Sequence, residues 1–242
     1  MHSSDMQKYC DLMEEIKRRM NVIDLFLSGK GHAVYEPTTL ESVGLQVRKI
    51  LELIAFGSLV ANKAVYSAIY LNFAKHWHAG RLLRDLAKVN SSFYPKPIVE
   101  IPSKQPGVKS ELKDRDPDYL IKADFEEVYD ECGPLMHAAN PYGSTIDYKH
   151  YQRSFPIWRQ QIINLLNSYQ IQLVNNPNLY LVHMREDRDD KVHYYAFEPA
   201  SGPRHSSEGV SAHSRKFPPR PCRRPRTWSP CRSGHCAASV RG

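Results

Sequence analysis

The chain has 242 residues, and 33 Lys and Arg against 26 Asp and Glu give it a formal charge of +7. That length suits one domain, or one domain with an appendage, and a basic balance by itself points to nucleic acid or an anionic membrane. The distribution of charge excludes that inference for most of the chain. Residues 201–242 hold nine basic residues against the acid Glu208 and are +8, while residues 1–200 hold 24 basic and 25 acidic residues and are −1.

No secretory signal is expected, because the first residues alternate apolar with charged and hold no uninterrupted apolar stretch. A helix is expected over residues 4–27. Ser4 can cap it, and Met6, Tyr9, Met13, Ile16, Met20, Ile23 and Leu27 form one stripe at spacings of three and four. Gly29 and Gly31 end it. Thr38 and Glu41 have capping-box spacing for a second helix to residue 61. Val43, Val47, Ile50, Leu51, Ile54 and Leu59 make it apolar on nearly all sides, which places it in the middle of a bundle. A break is expected at Asn62 or Lys63, followed by helices over 64–77 and 79–89. The window 53–74 is apolar apart from Lys63 and a few polar residues. A Lys at the midpoint of a membrane span costs roughly 3 kcal/mol, so the window reads as buried helices.

Residues 91–118 change texture, with Pro95, Pro97, Pro102, Pro106 and Pro117. Residues 97–101 read as a short extended piece that proline confines to an edge, and 102–118 as a mobile connecting loop. A helix follows over 123–139 with Asp124 as its cap, kinked or split at Gly133-Pro134. Asn140 to Gly143 is a turn. The next helix starts at Asp147 or Tyr148 and runs to about 168, with Ile157, Ile162, Ile163, Leu165 and Leu166 inward. Pro156 kinks it or marks its true start. Residues 179–185 and 192–197 alternate apolar with polar around an Asp-Arg-Asp-Asp turn and read as a β-hairpin.

The expected fold is therefore mainly α: a helical bundle of five or six helices with a C-terminal β-hairpin and a disordered tail. Residues 1–90 and 119–200 form one domain around the proline-rich loop 91–118. The tail lacks Leu, Ile, Met and Tyr and is rich in Ser, Arg and Pro, so it cannot bury enough surface to order itself. Three readings of it stay open: an out-of-frame segment, a basic binding tail, or a zinc set of His213, Cys222, Cys231, His235 and Cys236. Only Cys10 and Cys132 lie before the tail, which is no disulfide framework and fits a reducing cytoplasm.

Arg48 and Glu52 stand at i, i+4 on the apolar second helix, with Glu41 on the same stripe. Charges there need partners. They form either an internal salt bridge or a polar groove in which Arg48 binds an anion. His76 and His78 are two residues apart, a poor spacing for a metal on a helix, and read as a solvated helix end. His137 lies near a helix C-terminus. It is a capping or core histidine, or it contacts a ligand together with Asn140, His150 or Arg153. No metal site and no cofactor is expected: the chain has no phosphate-binding glycine loop, no nucleophile elbow, no His-Glu-x-x-His and no Cys-x-x-Cys.

Residues 45–56 (LQVRKILELIAF) and 135–141 (LMHAANP) resemble helical proteins of the HEPN type, over about residues 5–170. Many of those are ribonucleases of bacterial toxin or phage-defence systems, and others are non-catalytic binding modules. Catalytic members carry Arg and His a few residues apart on a helix. The spacing recurs here at Arg188 and His193, in the expected hairpin, whereas His137 has acids and Cys132 where the arginine would stand. What the resemblance implies for a catalytic site falls on Arg48, polarising a phosphate, and His137, as acid or base.

The function expected from the sequence is a cytoplasmic bacterial accessory protein acting as a non-catalytic interaction module with a protein partner or as a homodimer. Whether it is an enzyme stays open. The alternatives are a HEPN-like ribonuclease or nucleotide-binding toxin, and nucleic-acid binding through the tail, so RNA is a possible partner. No membrane partner is expected.

Overall fold

Spacings of three and four build the first helix, α1 (Ser3–Leu27), which buries Met6, Tyr9, Met13, Ile16, Met20 and Ile23 on one side. The structure, a computed structural model, describes residues 3–69, 79–106, 108, 110–143, 145–173, 176–198 and 220–221. Gly29, at φ 71°, turns the chain back. The second helix, α2 (Glu36–Ala61), lies along α1 and is buried on most sides. Its start corrects the expected capping box. Pro37 presets the first helical turn, Tyr35 stands at the N-cap, and the Thr38 hydroxyl donates back to the Tyr35 carbonyl at 2.9 Å. At the far end Asn62 caps α2, and its buried side chain donates to the Ser58 carbonyl. It also accepts from Asn90, which in turn reaches the Gln172 carbonyl. Here α2 breaks from α3 (Lys63–Ile69), and α4 (Ala79–Val89) packs back on α2. His76 and His78 fall outside the described residues. No helix among the described residues is long and apolar enough to cross a membrane.

The main correction concerns the sheet. Five strands, not two, form one antiparallel layer: β1 (Lys96–Pro102), β2 (Ser110–Asp114), β3 (Ser168–Gln172), β4 (Leu179–His183) and β5 (His193–Phe197), in the order β2-β1-β3-β4-β5. A two-residue strand, β6 (Arg220–Pro221), pairs with β5; the rest of the tail lies outside the described residues, and so do its zinc set and its expected disorder. The expected hairpin is the β4–β5 pair, and it continues into β3 and β1. The proline-rich stretch read as edge and loop is the β1–β2 hairpin, paired over five positions. Proline acts where it should: Pro97 has no N–H to donate, and the ladder from β1 to β3 is two pairs long.

The period of two explains the two layers. Tyr169, Ile171, Tyr180, Val182 and Met184 point into a core shared with the helices, each side chain contributing about 1.5–3 kcal/mol of burial. The Tyr9 hydroxyl of α1 meets the Tyr169 hydroxyl of β3 at 2.7 Å inside that core. The other face carries Glu100, Gln170, His183 and Tyr195. Two further helices complete the layer. α5 (Lys122–Glu131) ends earlier than expected, and a single 3₁₀ turn follows at Pro134–Met136. Its N-cap is Ile121, with Asp124 in the first turn. α6 (Tyr148–Leu166) starts at the N-cap Asp147 and contains Pro156; Ile157, expected inside, is 57% exposed. Cys10 is fully buried in the core, and Cys132 is a free, buried thiol.

Candidate functional site

Gly133-Pro134 stops α5, and a stopped helix leaves its last carbonyls without intrahelical partners. Side chains from α2 and α6 supply them. Arg48 Nη1 donates to the Tyr129 carbonyl at 3.0 Å, and its guanidinium lies 3.8 Å from the Tyr129 ring centroid. A cation suits a helix C-terminus. Glu52 Oε1 lies 3.9 Å from Arg48 Nε and accepts from the Tyr129 hydroxyl at 3.2 Å. Tyr151 donates to the Glu131 carbonyl at 2.7 Å, and His150 Nε2 stands 2.7 Å from Glu131 Oε2. The structure thus gathers Arg48, Glu52 and His150 at one junction, where each is engaged inside the protein. Burial pushes the Tyr129 hydroxyl up, and it pushes the Cys132 thiol up to about 12, which leaves that thiol protonated and unreactive at neutral pH.

His137, Asn140 and Arg153 are not brought to Arg48. All three are exposed. His137 and Asn140 lie on a loop pinned at both ends. At one end Leu135 fills the space beside Gly44, where a Cβ would stand 2.6 Å from Leu135 Cδ1. At the other, Asp147 accepts from the His150 amide at 3.1 Å, and the Tyr148 hydroxyl donates to Glu41 at 3.2 Å. Between these anchors residues 137–143 are exposed. The loop is shaped from within: Asn140 Oδ1 accepts from the Tyr142 amide at 3.0 Å, and its carbonyl accepts from the Gly143 amide at 2.9 Å. This Asx turn holds Tyr142 at 97% exposure. Sequence reasoning found the Asn-Pro-Tyr-Gly turn and passed over Tyr142, the residue that the turn presents.

A second cluster lies at the β4–β5 turn, which α1 also reaches: Lys17 donates to the Asp190 carbonyl, and Glu14 accepts from the Val192 amide at 2.8 Å. Arg188 Nη2 stands 2.8 Å from His193 Nδ1, so the noted Arg–His spacing is a contact; His193 is fully buried and its Nε2 is 3.0 Å from Asp189. His183 Nδ1 meets Glu186 at 2.9 Å. Glu100 of β1 comes within 2.7 Å of His183 Nε2, but off the line of a hydrogen bond. Tyr195 donates to Glu186 at 2.5 Å. Burial would raise the Glu186 carboxyl, but bonds from Tyr195 and His183 outweigh it and hold it below its ordinary value. Asp189 is lowered in the same way, mainly by His193 against the cost of burial. Glu14, Glu100, Glu186, Asp187, Asp189 and Asp190 outnumber Lys17, Arg185, Arg188 and Lys191 here, a balance that does not favour an anion. Among the described residues no group of three or more His, Cys, Asp or Glu is placed to hold a metal ion.

No family model, no curated protein and no solved structure matches this chain.

Proposed function

We propose that the protein is a non-catalytic interaction module and that loop 137–143 is its recognition element. The observation that carries this is Tyr142: an aromatic ring, 97% exposed, at the apex of a turn whose two ends are fixed to α2 and α6. Aromatic side chains on a fixed loop bind with little loss of conformational freedom, and function gathers on loops held by a rigid scaffold. His137 and Asn140 offer polar contacts on the same loop. Arg48 supports the loop from below by capping α5, a positioning role that needs no chemistry of its own.

The test is substitution of Tyr142 by Ala in the full chain. A surface change of this kind alters stability within about 0.5 kcal/mol, so the thermal midpoint is expected to hold while association, with itself or with a protein captured from its native lysate, is lost. Association that survives both Tyr142→Ala and His137→Ala refutes the loop as the recognition element. Cleavage of RNA by the wild type that disappears in Arg48→Ala and His137→Ala, with folding intact, would replace this reading with the ribonuclease one.

A further inference from the structure

An edge strand leaves one row of backbone groups without partners, and proteins commonly guard such an edge with Lys or Pro or by covering it. β5 reads His-Tyr-Tyr-Ala-Phe and holds neither Lys nor Pro. The chain supplies a cover from its own tail. β6 lies antiparallel on β5, with Pro221 opposite His193 and Arg220 opposite Tyr194. Pro221 has no N–H to donate, so Tyr194–Arg220 is the pair that can exchange both backbone hydrogen bonds.

The register gives that cover a direction. Continued antiparallel to β5, the chain heads from Pro221 past Val192 towards the β4–β5 turn. Arg223, Arg224 and Arg226 follow Pro221, the last within about 17 Å of extended chain. They head for the end of the sheet where acids outnumber bases, and Asp187 is exposed there and makes no ion pair among the described residues. In the other direction Pro218 and Pro219 precede Arg220 and bring no N–H to a ladder. The ladder therefore gains more by running towards the turn.

We infer that the β5 edge and the acidic turn beyond it form a strand-addition site for an extended, arginine-rich segment, and that its occupant is residues 220–226 of the same chain. Backbone bonds to β5 set the register of such a segment whatever its side chains. The turn adds selection by charge: it favours a strand followed by arginines and disfavours an acidic one. Residues 201–242 carry +8, so the segment and the turn are of opposite sign. A long connection between β5 and β6 costs little more to close than a short one. With its own tail in place, the β5 edge is closed to a second copy of the chain. The inference does not rest on the reading of loop 137–143.

Amide hydrogen exchange of the full chain, read residue by residue, tests it in two variants. Arg220→Pro removes the backbone donor of the Tyr194–Arg220 pair. Arg223→Gln, Arg224→Gln and Arg226→Gln together remove charge and keep every donor. Exchange in β5 is expected to quicken about tenfold in each, the effect of losing one hydrogen bond or its equivalent in charge, while α1 and α2 keep their protection. A synthetic peptide of residues 218–227, added to the Arg220→Pro chain, is expected to restore protection in β5, and the same peptide with glutamine for its arginines is not. Unchanged β5 exchange in both variants overturns the inference. Quickening in Arg220→Pro alone, or equal rescue by the glutamine peptide, overturns the selection for arginine and the inference with it. Protection of β5 in the wild type that falls on dilution assigns the edge to a second copy and overturns the occupant.

Discussion

Arg48 shows how one side chain can look catalytic in sequence and be structural in space. The spacing from Arg48 to Glu52 was legible because both lie on one helix. Their shared partner, Tyr129, stands 81 positions away, and no local pattern announces it. The geometry separates two outcomes for Arg48→Ala. If Arg48 caps α5, its loss removes the guanidinium bond to the Tyr129 carbonyl and leaves Glu52 with only Lys49 and the Tyr129 hydroxyl, at a cost of about 1–3 kcal/mol. Urea unfolding of the variant is expected to show that loss. Arg48→Lys is expected to recover little of it, because an ammonium cannot stack on the Tyr129 ring as a planar guanidinium does. Unchanged stability in both variants would mean that Arg48 is held for another purpose.

Two elements depend on anchors of different chemistry. The recognition loop depends on close packing, since α2 presents Gly44 where Leu135 needs the room. Gly44→Ala drives its Cβ into Leu135 and is expected to cost about 1–3 kcal/mol by overpacking. Hydrogen exchange should then quicken in residues 137–143 before it does in α1. Equal quickening everywhere would show that Leu135 does not pin the loop. The β4–β5 turn depends on charge. Glu186 is held below its ordinary value of 4.5, so the folded state binds its proton less tightly than the unfolded state does. Its stabilisation is complete above that value and is lost as the pH falls through the folded value. Exchange protection in β4 and β5 is thus expected to decline on acidification below about pH 4.5. Glu186→Gln should flatten part of that decline, and an identical pH curve for the variant would remove Glu186 as the cause.

At the scale of the molecule, helices were legible and the sheet was not, for physical reasons. The stripes of α1 and α2 repeat over several turns, so tertiary context had little to add. β3 holds only five residues and begins one residue after α6, with no Gly or Pro between them. Its alternation of Tyr169 and Ile171 was readable but short. β2 is polar apart from Leu112 and is a strand because it pairs with β1, a reason that lies outside its own residues. The sheet matters because it makes the helices and strands one core, and the Tyr9–Tyr169 pair tests that unity. Both hydroxyls are buried and bonded to each other across the two layers. Burial pushes both well above the ordinary tyrosine range, so they stay neutral and the bond is insensitive to pH over the stable range. Tyr9→Phe strands the Tyr169 hydroxyl, and Tyr169→Phe strands the Tyr9 hydroxyl. Each is expected to cost about 1–3 kcal/mol as a buried group without a partner. The double variant strands nothing and is expected to lose less than the two single losses together, a coupling readable from urea midpoints. The far-ultraviolet and aromatic signals should share one transition in every variant, because a two-layer core of this kind unfolds as a unit. Additive losses would mean that the hydroxyls do not depend on each other, and separated transitions would mean that the helices hold together without the sheet.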